Sequence, residues 1–382
     1  MRIGLDGIPL ASLWTGIGHY TSELAHNLAR IAPANEIELI SPVPTLASVD
    51  EDTPEGQRGE LPANLRVVRT GTHLFWWTLG LPLHLRRASL SIFHGTNYDV
   101  PLWGNATKVV TIHDLSLLLH PETHPDNLVR RARRRLPLMA KASTMIITAT
   151  ESVKREICEY LRVEAGKVAV TPYAPRRTFR PVPSEQTVEI RKRLNVASEF
   201  VLFVGTIEPR KNLITLVKAL EEILRTTNWR PQLVIAGKEG WLGDELFTYI
   251  RRSRVAEHIR FIGYVSDQDL CALYSSCRMC VYPSLYEGFG LPPLEAMACG
   301  APVITSRIPS IMETVGTAAS LVSPTDVQGL AQAITQLLED ENQRNQLASA
   351  GIQRAAEFTW EQTARATLDV YEEALNRQEK GD

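Results

Sequence analysis

Short apolar runs alternate with longer stretches in which apolar positions return every third or fourth residue, and the alternation continues through most of the chain. In the first part, Arg2 to Asp6, Glu36 to Ser41, Leu65 to Arg69, Ile92 to His94, Lys108 to Ile112, Thr144 to Ala149 and Val168 to Thr171 read as strands. Tyr20 to Ile31, Leu128 to Ala140 and Ser152 to Tyr160 carry the helical period. A second series has strands at Phe200 to Gly205, Gln232 to Ala236, Ile259 to Gly263, Met279 to Tyr282, Pro302 to Thr305 and Ser320 to Val322. Its helices include Leu213 to Thr226, Asp267 to Ser275 and Val327 to Glu339. Strands that alternate with helices build parallel sheets covered on both faces. The pattern therefore predicts an α/β protein with two doubly wound, Rossmann-like domains facing a central cleft. The first domain is expected over residues 1–175 and the second over 176–357. The proline- and charge-rich stretch Arg176 to Ser198 reads as the connection between them. A last amphipathic helix, Trp360 to Asn376 within residues 358–382, is expected to pack back toward the first domain.

A chain of 382 residues is long enough to bury two cores. The net charge of -2 gives no global attraction to nucleic acid, so no nucleic-acid partner is expected. Five scattered cysteines, Cys158, Cys271, Cys277, Cys280 and Cys299, point to a reducing compartment. Cys277 and Cys280 form a C-x-x-C without a second pair or a nearby histidine, so they read as small residues entering a strand and no metal is expected. Asp6 interrupts the only apolar stretch near the start, which argues against a signal peptide. No run reaches the roughly 20 apolar residues of a membrane span. A cytoplasmic location is expected, with peripheral contact at the inner face of the plasma membrane as an option.

The most informative chemistry lies between Glu287 and Glu295, in Glu287-Gly288-Phe289-Gly290-Leu291-Pro292-Pro293-Leu294-Glu295. The strand Met279 to Tyr282 precedes it, the glycines let the backbone turn, and the prolines hand over to a helix running through Ala298. Both carboxylates are expected to face one strand-to-helix cleft. Loop and first-turn amides there suit an anion such as phosphate, which carboxylates repel. The combination is explained if the anion carries hydroxyl-rich groups, as a nucleotide sugar does. The alternative is a loop cap at Glu287 and a first-turn helix acid at Glu295.

Other segments sit where such sheets place ligands. Thr15-Gly16-Ile17-Gly18-His19-Tyr20 follows the first strand and opens a helix, so its backbone suits close approach to a phosphate. It lacks the third glycine of a dinucleotide fingerprint, and the second strand ends in Ser41 where an acid would hold a ribose. Glu208-Pro209-Arg210-Lys211-Asn212 follows the strand ending in Gly205, and Arg210 and Lys211 suit a leaving diphosphate. His113-Asp114 ends the apolar run Val109 to Ile112. His120 and His124 are set aside as metal ligands, because Pro121 and Pro125 break the helix that would align them. Leu74 to Pro82 with Arg86 and Arg87, and the run Arg130, Arg131, Arg133, Arg134 and Arg135, suit an anionic membrane surface or a polyanionic acceptor. Core residues beside a solvated helix face would explain them equally.

Taken together these residues resemble the retaining GT-B glycosyltransferases of glycosyltransferase family 4, over nearly the whole chain. The resemblance rests on Ser284 to Gly300 with its paired glutamates, on Gly205 to Asn212, on Ala236-Gly237-Lys238 and on Phe358-Thr359-Trp360-Glu361. It implies that Glu287 contacts donor-sugar hydroxyls, Glu295 the ribose, and Arg210 and Lys211 the diphosphate. Gly16 and Gly18 would approach the diphosphate, and His113 would stand near the sugar. Gly205, Gly288, Phe289, Gly290 and Leu291 belong to the implied donor site. Many members carry arginine directly after the glycine that ends the second domain's first strand, whereas this chain has Thr206, which places more of the clamp on Arg210 and Lys211. The resemblance further implies transfer of a hexose, mannose from GDP-mannose by the mannosyltransferase-like Gly205 to Asn212 segment, to a polysaccharide or lipid-linked oligosaccharide. A UDP-sugar donor, a non-catalytic nucleotide-sugar-binding or partner subunit, and a nucleotide-sugar epimerase are the rival expectations.

Overall fold

Phe200–Val204 is buried along its whole length, and a strand with no polar face must be covered on both sides. The same holds for Met145–Thr148, Met279–Tyr282 and Val303–Ser306. Parallel sheets flanked by helices satisfy this requirement. The computed structural model describes residues 1–11, 16–44, 61–70 and 75–380, so Thr15 and Leu74 lie outside the described residues. The chain divides into two units, one of Met1–Leu115, Arg131–Ala174 and Thr359–Asp382, the other of Ser116–Arg130 and Pro175–Phe358.

The first unit holds a seven-stranded sheet of β1 (Arg2–Asp6), β2 (Glu36–Ser41), β3 (Leu65–Arg69), β4 (Ile92–Gly95), β5 (Thr107–Thr111), β6 (Met145–Thr148) and β7 (Val168–Val170). The strands are parallel in the order β3-β2-β1-β4-β5-β6-β7, with Ile3 of β1 beside Ile37 on one side and Ile92 on the other. Helix Gly16–Ile31 packs against helix Trp360–Lys380 within this unit. Thr363 Oγ1 donates to Pro172 O at 2.6 Å, Trp360 stacks on Tyr173, and the Tyr371 hydroxyl meets His94 Nδ1 at 2.7 Å. His94 Nε2 reaches Thr111 Oγ1 at 2.7 Å, which in turn meets the Tyr20 hydroxyl at 2.9 Å, so a buried polar chain ties both helices to β4 and β5.

The second unit holds a six-stranded parallel sheet of β8 (Phe200–Val204), β9 (Gln232–Ala236), β10 (Ile259–Gly263), β11 (Met279–Tyr282), β12 (Val303–Ser306) and β13 (Ser320–Val322), in the order β10-β9-β8-β11-β12-β13. Its core joins Phe203, Ile235, Val281 and Ile304 to helix residues Leu216, Leu220 and Ile334. The order reverses at β1 in one sheet and β8 in the other, and ligands of such sheets bind beyond the carboxyl ends at this reversal.

The reading of Arg176 to Ser198 as a connection needs correction. It contains helix Ser184–Leu194, which packs on helix Asp267–Ser276 through an Arg193–Asp269 ion pair and belongs to the second unit. Its charged face concealed a short apolar side at Thr187 and Ile190. Cys280 is buried in β11 and Cys277 stands just before it, both as free thiols. Among the described residues no helix is long and apolar enough to cross a membrane.

Candidate active site

At the carboxyl edge of the second sheet, the exits of β8 and β9 lie against each other. Gly237 has φ +148°, and any side chain there would overlap Gly205 O, so only glycine permits this approach. Gly205 N–H donates to Ala236 O at 2.9 Å and Ile207 N–H to Lys238 O at 3.0 Å, which fixes the path of the chain leaving β8. Pro209–Lys211 then forms a single 3₁₀ turn, ended by Asn212 at φ +57°. Asn212 Nδ2 donates to Pro283 O at 2.9 Å and Pro324 O at 2.7 Å. This anchors Arg210 and Lys211 beside the segment that follows β11.

There the side chains form one charge-balanced cluster. Lys211 Nζ lies 2.6 Å from both Glu287 Oε1 and the Tyr282 hydroxyl, and that hydroxyl donates to Glu287 Oε1 at 2.9 Å. Arg210 takes Glu287 Oε2 at 3.1 Å, Glu208 Oε1 at 2.7 Å and Tyr286 O at 2.9 Å. Glu208, Lys211 and Glu287 are all buried. Burial pushes the Glu287 carboxyl up, but Arg210 and Lys211 outweigh it and hold the group at about 2. Burial and neighbouring Arg210 pull the Lys211 ammonium below the ordinary lysine value, against the opposing pull of Glu287 and Glu208. An ionised carboxylate has about four lone-pair positions. Glu287 Oε1 accepts from Lys211 and Tyr282, and Oε2 meets Arg210.

The loop from Glu287 to Leu291 is held from the helix Pro309–Val315. The Ser310 hydroxyl donates to Glu287 O, and Thr314 Oγ1 donates to Phe289 O at 2.6 Å. Gly288 lies between those two carbonyls, and the Phe289 ring meets Phe358 edge-on. Gly290 has φ +94°, and a side chain on it would overlap Ile311 Cδ1. Helix Leu291–Ala298 starts there, but Pro292 and Pro293 have no N–H, so its first turn offers fewer amides than a helix start normally does.

Glu295, buried in that helix, accepts from Arg176 Nε at 3.0 Å, and Arg176 also pairs with Asp267 and lies over the Phe179 ring. Burial raises the Glu295 carboxyl, with Arg176 opposing. Each glutamate of the pair thus has its own cation. Neither Arg176 nor Tyr282 was singled out in the sequence. Arg176 lies 119 residues from its partner, and Tyr282 looked like one more apolar strand residue.

In the first unit, Gly16 and Gly18 lie in the opening turn of helix Gly16–Ile31, and nothing stands within 4 Å of where a Gly16 side chain would be. His113 follows β5. Its Nε2 faces Thr96 O at 2.8 Å and must carry the proton, so the Tyr173 hydroxyl donates to Nδ1 at 2.7 Å. Burial lowers the imidazole to about 4, so it is neutral at pH 7 with both nitrogens engaged. His120 and His124, in the segment that clusters with the second unit, pack separately on Tyr286 and Trp241.

Residues 186–354 match the family model "Glycosyl transferases group 1", and residues 14–174 match "Glycosyltransferase Family 4". O-antigen chain mannosyltransferase B of Escherichia coli is 32% identical over 97% of this chain and 99% of its own length. The chain belongs to this family of glycosyltransferases. Its fold is GT-B, shared with sucrose-phosphate synthase of Thermosynechococcus elongatus at TM-score 0.75 and 22% identity, covering 97% of this chain and 98% of that one. The Anabaena protein HepE, solved in complex with UDP-glucose, matches at TM-score 0.70 and 19% identity over 99% of each chain. In this glycosyltransferase the matched group 1 region spans the whole Glu208–Arg210–Lys211–Tyr282–Glu287 cluster.

Proposed function

We propose that this glycosyltransferase moves mannose from GDP-mannose to a polysaccharide or lipid-linked oligosaccharide, with retention of the anomeric configuration. Its similarity over nearly the full length to an O-antigen mannosyltransferase supports the sugar and the acceptor class. The observation that carries the chemistry is the buried pairing of Lys211 and Arg210 with Glu287 beyond β8 and β11. In this reading the donor diphosphate takes up the positive charge of Arg210 and Lys211 that Glu208 and Glu287 now share. Glu287 accepts a sugar hydroxyl, and Glu295 a ribose hydroxyl.

The carboxylates of Glu208 and Glu287 are ion-paired to Arg210 and Lys211, and those of Glu295 and Asp267 to Arg176, so none is offered as a nucleophile and a front-face route is favoured. The bond from the anomeric carbon to the diphosphate oxygen breaks, the acceptor oxygen bonds to that carbon on the same face, and its proton passes to the departing phosphate oxygen. Arg210 and Lys211 stabilise the charge gained by the leaving group. This account assigns the electrostatic work to side chains and calls on no metal. The relative that binds UDP-glucose makes a UDP-sugar the second donor reading.

Thermal shift of the purified protein against GDP, UDP, ADP and TDP and their sugars, in EDTA, tests the donor. Stabilisation by GDP and GDP-mannose is expected; stabilisation by UDP-sugars alone would replace the donor, and no shift from any nucleotide would contradict the site.

A further inference from the structure

A π turn at Trp76–Gly80 runs directly into helix Leu81–Arg87, and this segment is apolar on two faces. Trp76, Leu81 and Leu85 point into the core. Phe75, Leu79 and Leu83, four residues apart, are 70%, 51% and 41% exposed. Leu102 and Trp103, 56% and 44% exposed, lie alongside, because Trp103 Nε1–H donates to Thr78 O at 2.5 Å and Gly104 sits against Pro82. A helix that is apolar all round is ordinarily covered on every side. Here the outer side faces water.

On the outer side of the patch, the Trp103 indole and the Thr78 hydroxyl are bonded within it. The indole N–H has its carbonyl, and the Thr78 hydroxyl donates to Phe75 O at 3.2 Å. The rings and leucines can therefore leave water without stranding a donor. At the end of the helix, Arg86 and Arg87 are exposed and have no ion pair among the described residues, and the segment Phe75–Arg87 contains no acid.

We infer that this surface of the first unit seats on a bilayer carrying anionic lipid. Phe75, Leu79, Leu83, Leu102 and Trp103 enter the acyl boundary while Arg86 and Arg87 meet lipid phosphates. A second copy fits the patch less well, because a self-facing contact would bring the same arginines together. The inference deepens the reading of a lipid-linked acceptor, yet binding to lipid needs neither donor nor reaction.

The test is sedimentation of the full chain, without nucleotide, with vesicles of phosphatidylcholine alone or mixed with phosphatidylglycerol. The chain should pellet with the mixed vesicles and release as salt rises. Phe75→Ser with Leu79→Ser, and separately Arg86→Glu with Arg87→Glu, should each weaken partitioning by about tenfold or more. Their melting temperatures and turnover on a soluble acceptor should match the parent. Absence of vesicle binding by the parent, or binding by both variants equal to it, would overturn the inference. So would a concentration-dependent dimer abolished by Phe75→Ser with Leu79→Ser, which would assign the surface to a second copy. Failure of donor turnover with vesicle binding intact would count against the proposed reaction alone.

Discussion

Tyr282 shows how one hydroxyl can set the state of a charged site. It accepts from Lys211 and donates to Glu287 Oε1, so it supports the ammonium and the carboxylate together. The charged groups acting on it are Lys211, Arg210 and Glu287. Tyr282→Phe leaves the ring and its packing on Phe203 in place but removes both bonds. Lys211, already below the ordinary lysine value, loses an acceptor and should titrate lower still. We expect turnover to fall about tenfold, equivalent to ~1.4 kcal/mol, with donor affinity little changed. The alkaline limb of the pH profile should move to lower pH, because the site needs Lys211 protonated. An unchanged limb and unchanged turnover would reduce Tyr282 to packing.

At the scale of elements, the exits of the strands matter more than the strands. The apolar runs located β1, β2, β3, β9, β10, β11 and β13 at the ends the structure gives them; β1, β2, β9 and β11 are largely buried and leave a plain signature, and β3, β10 and β13 keep a short β-branched or apolar run between turns. Helices Ser184–Leu194, Pro309–Val315 and Glu341–Ala356 were missed, since few of their residues are buried or the segment is too short for a period to emerge. That gap hid Ser310 and Thr314, which hold the Glu287–Phe289 loop. The glutamates and the Arg210–Lys211 pair were legible because their spacing is local. Their pairing with each other, and Glu295 with Arg176, depends on contacts that only the folded unit makes. Gly290 is the most exacting point of the loop. Gly290→Ala forces a left-handed backbone on an L residue and drives its methyl into Ile311, so it should cost ~1–3 kcal/mol and lower the melting temperature. A melting curve equal to the parent's would contradict the geometry.

At the scale of the whole molecule, buried titratable groups in the first unit make stability depend on pH in two opposite senses. Burial, with His113 nearby, lowers His94 to about 3, and burial lowers His113 to about 4, both from 6.5. The unfolded chain therefore takes up protons before the folded one, and stability is lost as pH falls from 6.5 toward 4. Asp6 acts in the opposite sense. Burial raises it from 3.8 to about 7, against the Ile8 N–H that it accepts at 3.1 Å. The folded state keeps this proton after the unfolded state has lost it, so stability falls as pH rises between these values. Asp6→Asn should be more stable than the parent at pH 8, with the gap opening between pH 4 and 7 and flat above. Parallel stability curves would contradict a buried, raised Asp6.

In the proposed reaction Lys211 and Arg210, balanced by Glu287, form the charge-stabilising core of a retaining mannosyl transfer. It is tested most directly by following GDP-mannose and a lipid-tailed mannose oligosaccharide by NMR, in EDTA, with the parent chain and Lys211→Ala. The account predicts GDP release matched by a new α-mannosyl linkage, and turnover about 100-fold or more lower in Lys211→Ala with acceptor affinity retained. A β-linked product, or equal turnover by Lys211→Ala, would contradict it.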